Sequence, residues 1–383
     1  MYIAAFSRDL QKNDPTLNQF GKARLLIRER IAAMTVHRQG IHDRIQWLLD
    51  LGREHAREFC TPEVFLARKR YLAKHPTLVA VMKCMDGRIH IPWATQTPLG
   101  IIQPFRNLGG IFDLGWPYLG EVLNTSFQNA VNSGRRVLLL ITYHYSKDTP
   151  HRGCAGFDYN RDAAIEHTYC IKRQVEEIFG KDHQTVYPVV CGFETDLDAL
   201  ILHGEQASTL DLASVRDTER DELMARLIVL FPDMPRQVML DLLPLIQGNI
   251  AHIAEMRDSD RELDIVHREW AICIGRGFDF FHVPNVALIV GPYSPDLSDP
   301  IRKAATIIRN NMSDGRIPDD GFLLLTSSPY QEIGVDRARA TLKARFLSQF
   351  AADVIGNAHP DLHQKMVPYT AVLNWHTRDL EVI

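Results

Sequence analysis

The chain has 383 residues, 45% hydrophobic and 23% charged, so it can bury a full core, and intrinsic disorder is excluded as its general state. Forty-three Lys and Arg against 47 Asp and Glu give a net charge of −4, which leaves no basic excess to hold a phosphate backbone and argues against nucleic acid as a partner. No run approaches the ~20 continuous apolar residues of a membrane span, and the opening MYIAAFSRDLQKND lacks the regions of a secretory leader. Six cysteines are too few for a disulfide scaffold and point to a reducing, cytoplasmic setting, where thiols serve metal binding or catalysis.

Residues 1–75 are expected to form a helical packing or oligomerisation domain. Apolar residues recur at helical spacing in 21–34, 41–59 and 62–74, and Pro76 stops the last helix. From Leu78 the period changes. LVAVMKC (78–84), RRVLLLITYHYS (135–146) and TVYPVVCGFET (185–195) are strand-like, and 161–180 is a helix closed by Gly180. Strands alternating with helices predict a mainly parallel sheet over 76–205. Residues 206–260 are expected to be a helical connection.

The last third, 261–383, repeats the middle loosely. WAICIGRGFDFFHVP (270–284) resembles AVMKCMDGRIHIPW (80–93), and GFLLLTSSPYQ (321–331) resembles RVLLLITYHYS. This predicts an internal duplication that keeps the fold and loses the reactive residues. Gly275 stands where Cys84 stands, and Ser328 or Pro329 falls near His144. The expected fold is therefore α/β: a helical N-terminal domain, an α/β domain, and a degenerate second copy of it.

Reactive groups concentrate at Cys84-Met85-Asp86-Gly87-Arg88, directly after a strand. Sixty residues on, a second strand ends in Tyr143-His144-Tyr145, and Cys154 follows ten residues later. Open α/β sheets gather their ligands at the C-terminal ends of neighbouring strands. Two thiolates and an imidazole with an open fourth position make a catalytic zinc arrangement. Asp86 and Arg88 are spaced to form a charge-assisted pair beside it.

In these residues the chain resembles β-class carbonic anhydrases, which carry C-x-D-x-R followed by His and Cys. Phe105-Arg106-Asn107-Leu108-Gly109-Gly110 looks like the R-N-x-G stretch of that class. YHYSKDTPHRGCAG, GFETDLDALILHG (192–204) and GRGFD (275–279) look like one branch, the carboxysome shell carbonic anhydrases. The resemblance covers about residues 75–356. It implies Cys84, His144 and Cys154 as ligands of Zn²⁺, and Asp86 and Arg88 as the catalytic pair. It implies reversible hydration of CO2 to bicarbonate by a zinc-bound hydroxide. It also implies a homodimer or larger assembly, Rubisco or shell proteins as partners, and a place inside a carboxysome. The ordinary H-x-x-C motif would select His151 instead, but the strand fixes His144, which is preferred.

Two other functions share these residues: a zinc hydrolase of a CO2 analogue such as CS2 or COS, and an assembly protein with a structural zinc. The Asp86–Arg88 pair argues against the second. Cys60, Cys170, Cys191 and Cys273 are expected to be small core residues. His90 and His203 are expected to be ordinary polar residues, Asp196 and Asp198 to sit in a turn, and Arg106 and Asn107 to lie in a loop lining the site. No cofactor role is expected for GRGFD.

Overall fold

The computed structural model describes residues 35–383 except 206, 216–219, 260–264 and 282. The helix expected over 21–34 lies outside them. Helix α1 (Ile41–Phe59) buries Ile41, Ile45, Leu48 and Leu49 along one face, and α2 (Pro62–Lys74) starts at Thr61, whose hydroxyl accepts the Val64 N–H. Then come β1 (Leu78–Cys84), β2 (Ile102–Asn107), α3 (Pro117–Asn132), β3 (Val137–Tyr145), α4 (Arg161–Phe179) and β4 (Val186–Glu194). Strands β5 (Ala199–His203) and β6 (Thr209–Asp211) follow, then helices α5 (Arg220–Leu230) and α6 (Arg236–Arg257). The stretch read as all helical after 206 thus begins with a strand.

The first sheet has the order β2-β1-β3-β4-β5-β6, parallel from β2 to β4 and antiparallel beyond. Every residue of β3 and β4 is buried, as helices on both faces of a parallel sheet require. Each fully buried Leu, Ile or Val contributes about 1.5–3 kcal/mol, so VLLLI in β3 is a main anchor of this half.

The second half has β7 (Ala271–Gly275), β8 (Ala287–Val290), α7 (Ser298–Ser313), β9 (Phe322–Tyr330), α8 (Val335–Ala358), β10 (Met366–Asn374) and β11 (Leu380–Val382). Its sheet order, β8-β7-β9-β10-β11, repeats β2-β1-β3-β4-β5 strand for strand, including the antiparallel last pair. The register resolves one ambiguity. Ala80 pairs with Leu139, five residues before His144, and Ala271 pairs with Leu323, five before Ser328. Ser328, not Pro329, therefore holds the place of His144.

The two halves meet at β2 and β8. Gly291 N–H donates to Arg106 O (2.9 Å), Ile289 N–H to Met85 O (2.9 Å) and Asn285 N–H to Gly87 O (2.8 Å). Tyr293 from the second half packs against Phe105, Phe112 and Tyr118 of the first. Helix α1 adds Ile45, Leu48 and Leu49 to the second half's core, and its buried Arg44 pairs with Asp320 and lies over the Trp270 ring.

Candidate metal centre

Strand β1 delivers Cys84 at its last residue and its parallel neighbour β3 delivers His144 at its penultimate one. The strand runs to Tyr145, so His144 has the backbone of a buried strand. Thr142, on the same face, donates its hydroxyl to Met82 O (2.9 Å) and ties the two strand ends together.

Cys154 arrives on a loop that is fastened from outside. Asp196 accepts from Ser146 Oγ (2.9 Å) and from the N–H groups of Lys147 (2.8 Å) and Asp148 (3.2 Å), and Cys154 O accepts the Tyr159 N–H (2.9 Å). The result is a buried cluster in which one donor atom each from Cys84, His144 and Cys154 lies within 4.8 Å of the others.

The cluster fits a borderline-soft metal. His144 is buried, yet neither ring nitrogen has a hydrogen-bond partner among the described residues. A buried polar atom without a partner costs about 1–3 kcal/mol, so an imidazole left this way is suited to a ligand role. The thiols are primed unequally. The hydrogen bond from Cys154 holds Cys84 well below the usual thiol range against the opposing effect of burial, with His144 adding to the lowering. Cys154, bonded to that thiolate and buried, is pushed up. Two sulfurs and one nitrogen form a three-ligand zinc set with room for a fourth group.

Asp86 sits beside the cluster, with Oδ2 3.9 Å from His144 Nε2. Arg88 grips it through three bonds: its backbone N–H and Nε to Oδ1 (2.9 and 3.1 Å) and Nη2 to Oδ2 (2.7 Å). Burial acts to raise the Asp86 carboxyl, but the Arg88 and His267 charges outweigh it and hold the group well below the usual carboxylate range.

The second half completes this site, and the sequence alone did not reveal it. Arg88 Nη1 donates to Ile265 O (2.9 Å), while Nη2 also donates to Arg152 O (3.0 Å). Glu269, fully buried, accepts the Gly87 N–H (3.1 Å) and pairs with His267 Nδ1 (2.9 Å), and His267 Nε2 lies 3.7 Å from Asp86 Oδ2. Gly87 is needed here for closeness: a Cβ would lie 2.7 Å from Ala287 O. The available clue was the duplication itself, since residues leading into β7 must face the other half's cleft.

Other expected residues fall elsewhere. His151 is exposed and meets Tyr159 edge-on, outside the cluster. Arg106 and Asn107 lie in β2, not in a loop; Asn107 donates to Ile111 O (2.7 Å), and Arg106 lines a pocket of the second half. Asp196 and Asp198 do sit in a turn, Asp198 paired with His252 (2.9 Å). His90 caps a single helical turn by accepting the Trp93 N–H, and His203 bridges the hydroxyls of Tyr143 and Tyr169. Cys191 and Cys273 are buried, but Cys60 is exposed and Cys170 half-buried, because each sits on the outer side of a helix or its end.

Among the described residues no helix is long and apolar enough to cross a membrane. No curated protein matches the chain. Residues 68–226 match the family model described as Carboxysome Shell Carbonic Anhydrase, catalytic domain, a segment that runs from α2 into α5 and contains Cys84, Asp86, Arg88, His144 and Cys154. Over that segment the chain is similar to the carboxysome shell carbonic anhydrase family.

Proposed function

We propose that this chain is a zinc-dependent carbonic anhydrase that hydrates CO2 reversibly to bicarbonate and works in a carboxysome. The observation that carries the reading is the buried Cys84–His144–Cys154 cluster with an ionised Asp86 clamped beside it. Cys84, His144 and Cys154 would hold the zinc, which when bound supplies a Lewis acid that acidifies water at neutral pH.

The chain's own residues do the rest. Asp86, kept ionised by Arg88, accepts a hydrogen bond at Oδ2 and so orients a water or hydroxide toward the carbon of CO2. Arg88 spends its donors on Asp86 and on the carbonyls of Ile265 and Arg152, which fixes the carboxylate and leaves it little freedom to swing toward the ligands. His267, oriented by Glu269, stands with Nε2 3.7 Å from Asp86 Oδ2, where its charge helps Arg88 keep that carboxylate ionised. Leu108 and Phe157 pack against the core that includes both thiols and provide an apolar wall suited to a nonpolar substrate.

The test is stopped-flow CO2 hydration by the zinc-loaded chain before and after chelation. Hydration well above the buffer rate, lost on chelation and restored by zinc, is the expected result. Hydration at the buffer rate by fully zinc-loaded protein would overturn the reading.

A further inference from the structure

Asn285 is fastened to both halves where they meet beside the cluster. It lies two residues before β8, is buried, and has a left-handed backbone with φ +59. Pro284 precedes it, an order that suits a tight turn with a positive φ at its third residue, and Asn tolerates that conformation better than most residues with a side chain. The turn aims the Asn285 N–H at Gly87 O (2.8 Å), the carbonyl between Asp86 and Arg88.

The Asn285 side chain bonds the second half. Its Oδ1 accepts the Arg268 N–H (3.0 Å), and its Nδ2 donates to Val266 O (2.8 Å). One amide thus spans a carbonyl and an N–H two residues apart, as the peptide of a parallel strand would. Between them stands His267, with Nε2 3.7 Å from Asp86 Oδ2, and just before them Ile265, whose carbonyl accepts from Arg88 Nη1 (2.9 Å). Val286 O then takes the N–H groups of Trp270 and Ala271 (3.1 and 3.2 Å), which carries the same fastening into β7.

The first half shows what the frame alone requires at this place. Ala80 pairs with Gln103 and Ala271 with Ala287, so the position two residues earlier is Ile101 in one copy and Asn285 in the other. Ile101 is buried, so the fold accepts an aliphatic side chain there. The amide is an addition of the second half, and its bonds lead to the stretch that meets Asp86 and Arg88.

We propose that Asn285 is a positioning residue for the Asp86–Arg88 pair, fixing the distance between Gly87 and the stretch 265–268. The proposal rests on the carbonic anhydrase reading. Without the amide, the Ile265 carbonyl and His267 are free to drift from Arg88 and Asp86, while the metal ligands stay where β1 and β3 put them. Asn285 touches none of the reacting atoms and acts through these neighbours.

Asn285→Gly removes the amide and keeps both the left-handed backbone and the N–H to Gly87. Three measurements on the zinc-loaded full chain test the proposal: zinc content, amide hydrogen exchange read by peptide, and kcat and KM for CO2. The variant should keep full zinc. Exchange over 265–269 should quicken by about tenfold or more, with β9 unchanged. The kcat should fall by about tenfold and KM stay within about twofold, since alignment is lost and not access. An active parent whose Asn285→Gly variant keeps its kcat, or exchanges like the parent over 265–269, would overturn the proposal alone. A zinc-loaded parent that hydrates CO2 only at the buffer rate would overturn the carbonic anhydrase reading and the proposal with it. If Asn285→Gly fails to fold by circular dichroism, Asn285→Asp takes its place. It retains the acceptor for Arg268 and loses the donor to Val266, so a kcat lower by about threefold and faster exchange over 265–269 are expected, and parent-like values of either would overturn the proposal.

Discussion

The two halves of this chain share a strand order and differ in their chemistry. In each, a parallel core strand runs between its neighbours and ends at the junction, as β1 does beside β2 and β3, and β7 beside β8 and β9. The first half ends that strand in Cys84 and the next in His144; the second puts Gly275 and Ser328 at the same register positions. The frame is held by apolar runs such as VLLLI and FLLL, which tolerate exchange of their end residues. The candidate metal site depends on three side chains that lie at strand ends and in a loop, beyond the apolar runs that hold the frame. A duplicated copy can therefore lose its ligands and keep its fold, and here it has kept the task of closing the other half's site through Ile265, His267 and Glu269.

The sharpest way to break the contrast is to remove a ligand. Cys84→Ser or Cys154→Ser should lose zinc by elemental analysis, with affinity down by about a thousandfold or more, since a three-ligand set has none to spare. His144→Ala should do the same, whereas His151→Ala should keep full zinc and change the hydration rate by no more than about threefold. Full zinc in His144→Ala and loss in His151→Ala would move the ligand to the exposed loop.

Next in size are the groups beside the cluster. Asp86→Asn should retain zinc and lose hydration by about a hundredfold, and Arg88→Ala should behave similarly, because both act on what the zinc holds and not on the zinc. Smaller, but more telling for the comparison, is a change made entirely in the second half. His267→Ala or Glu269→Gln should leave zinc in place and lower hydration by about tenfold, with a shifted pH–rate profile. Parent-like activity and pH profile in both would reduce the second half to a packing partner.

The smallest effect concerns pH and stability. Burial and the neighbouring Asp196 raise the Glu194 carboxyl to about 8. Its folded value lies above its unfolded one, so the folded chain binds more protons between about 4.5 and 8. Stability from this group is thus full below about 4.5 and is lost as pH rises through 8. Thermal melts across that window should decline in the parent and flatten in Glu194→Gln; equal slopes would show that Glu194 does not control the decline.

Much of this was legible in the sequence, for physical reasons. The strand ends Cys84 and His144 stood out because apolar runs of β length stop at reactive residues, and Cys84, Asp86 and Arg88 lie within five residues. The duplicated order was visible in IGRGFD and in FLLLTSSPYQ because core strands keep their hydrophobicity. What escaped was whatever depends on contact between the halves. His267 and Glu269 lie over 180 residues from Asp86 and carry no motif, and Arg106, the first residue of the R-N-x-G stretch, lines the other half's pocket. Exposure also escaped: Cys60 and Cys170 sit in apolar-looking sequence, but on the outer side of helices.

The central claim is that one zinc per chain is held by two sulfurs and one nitrogen of the first half. Zinc stoichiometry combined with X-ray absorption at the zinc edge on the purified chain tests it most directly. One zinc, with two sulfurs near about 2.3 Å and a nitrogen near about 2.0 Å, is the result this account requires. Two zincs per chain, or a shell without sulfur, would contradict it.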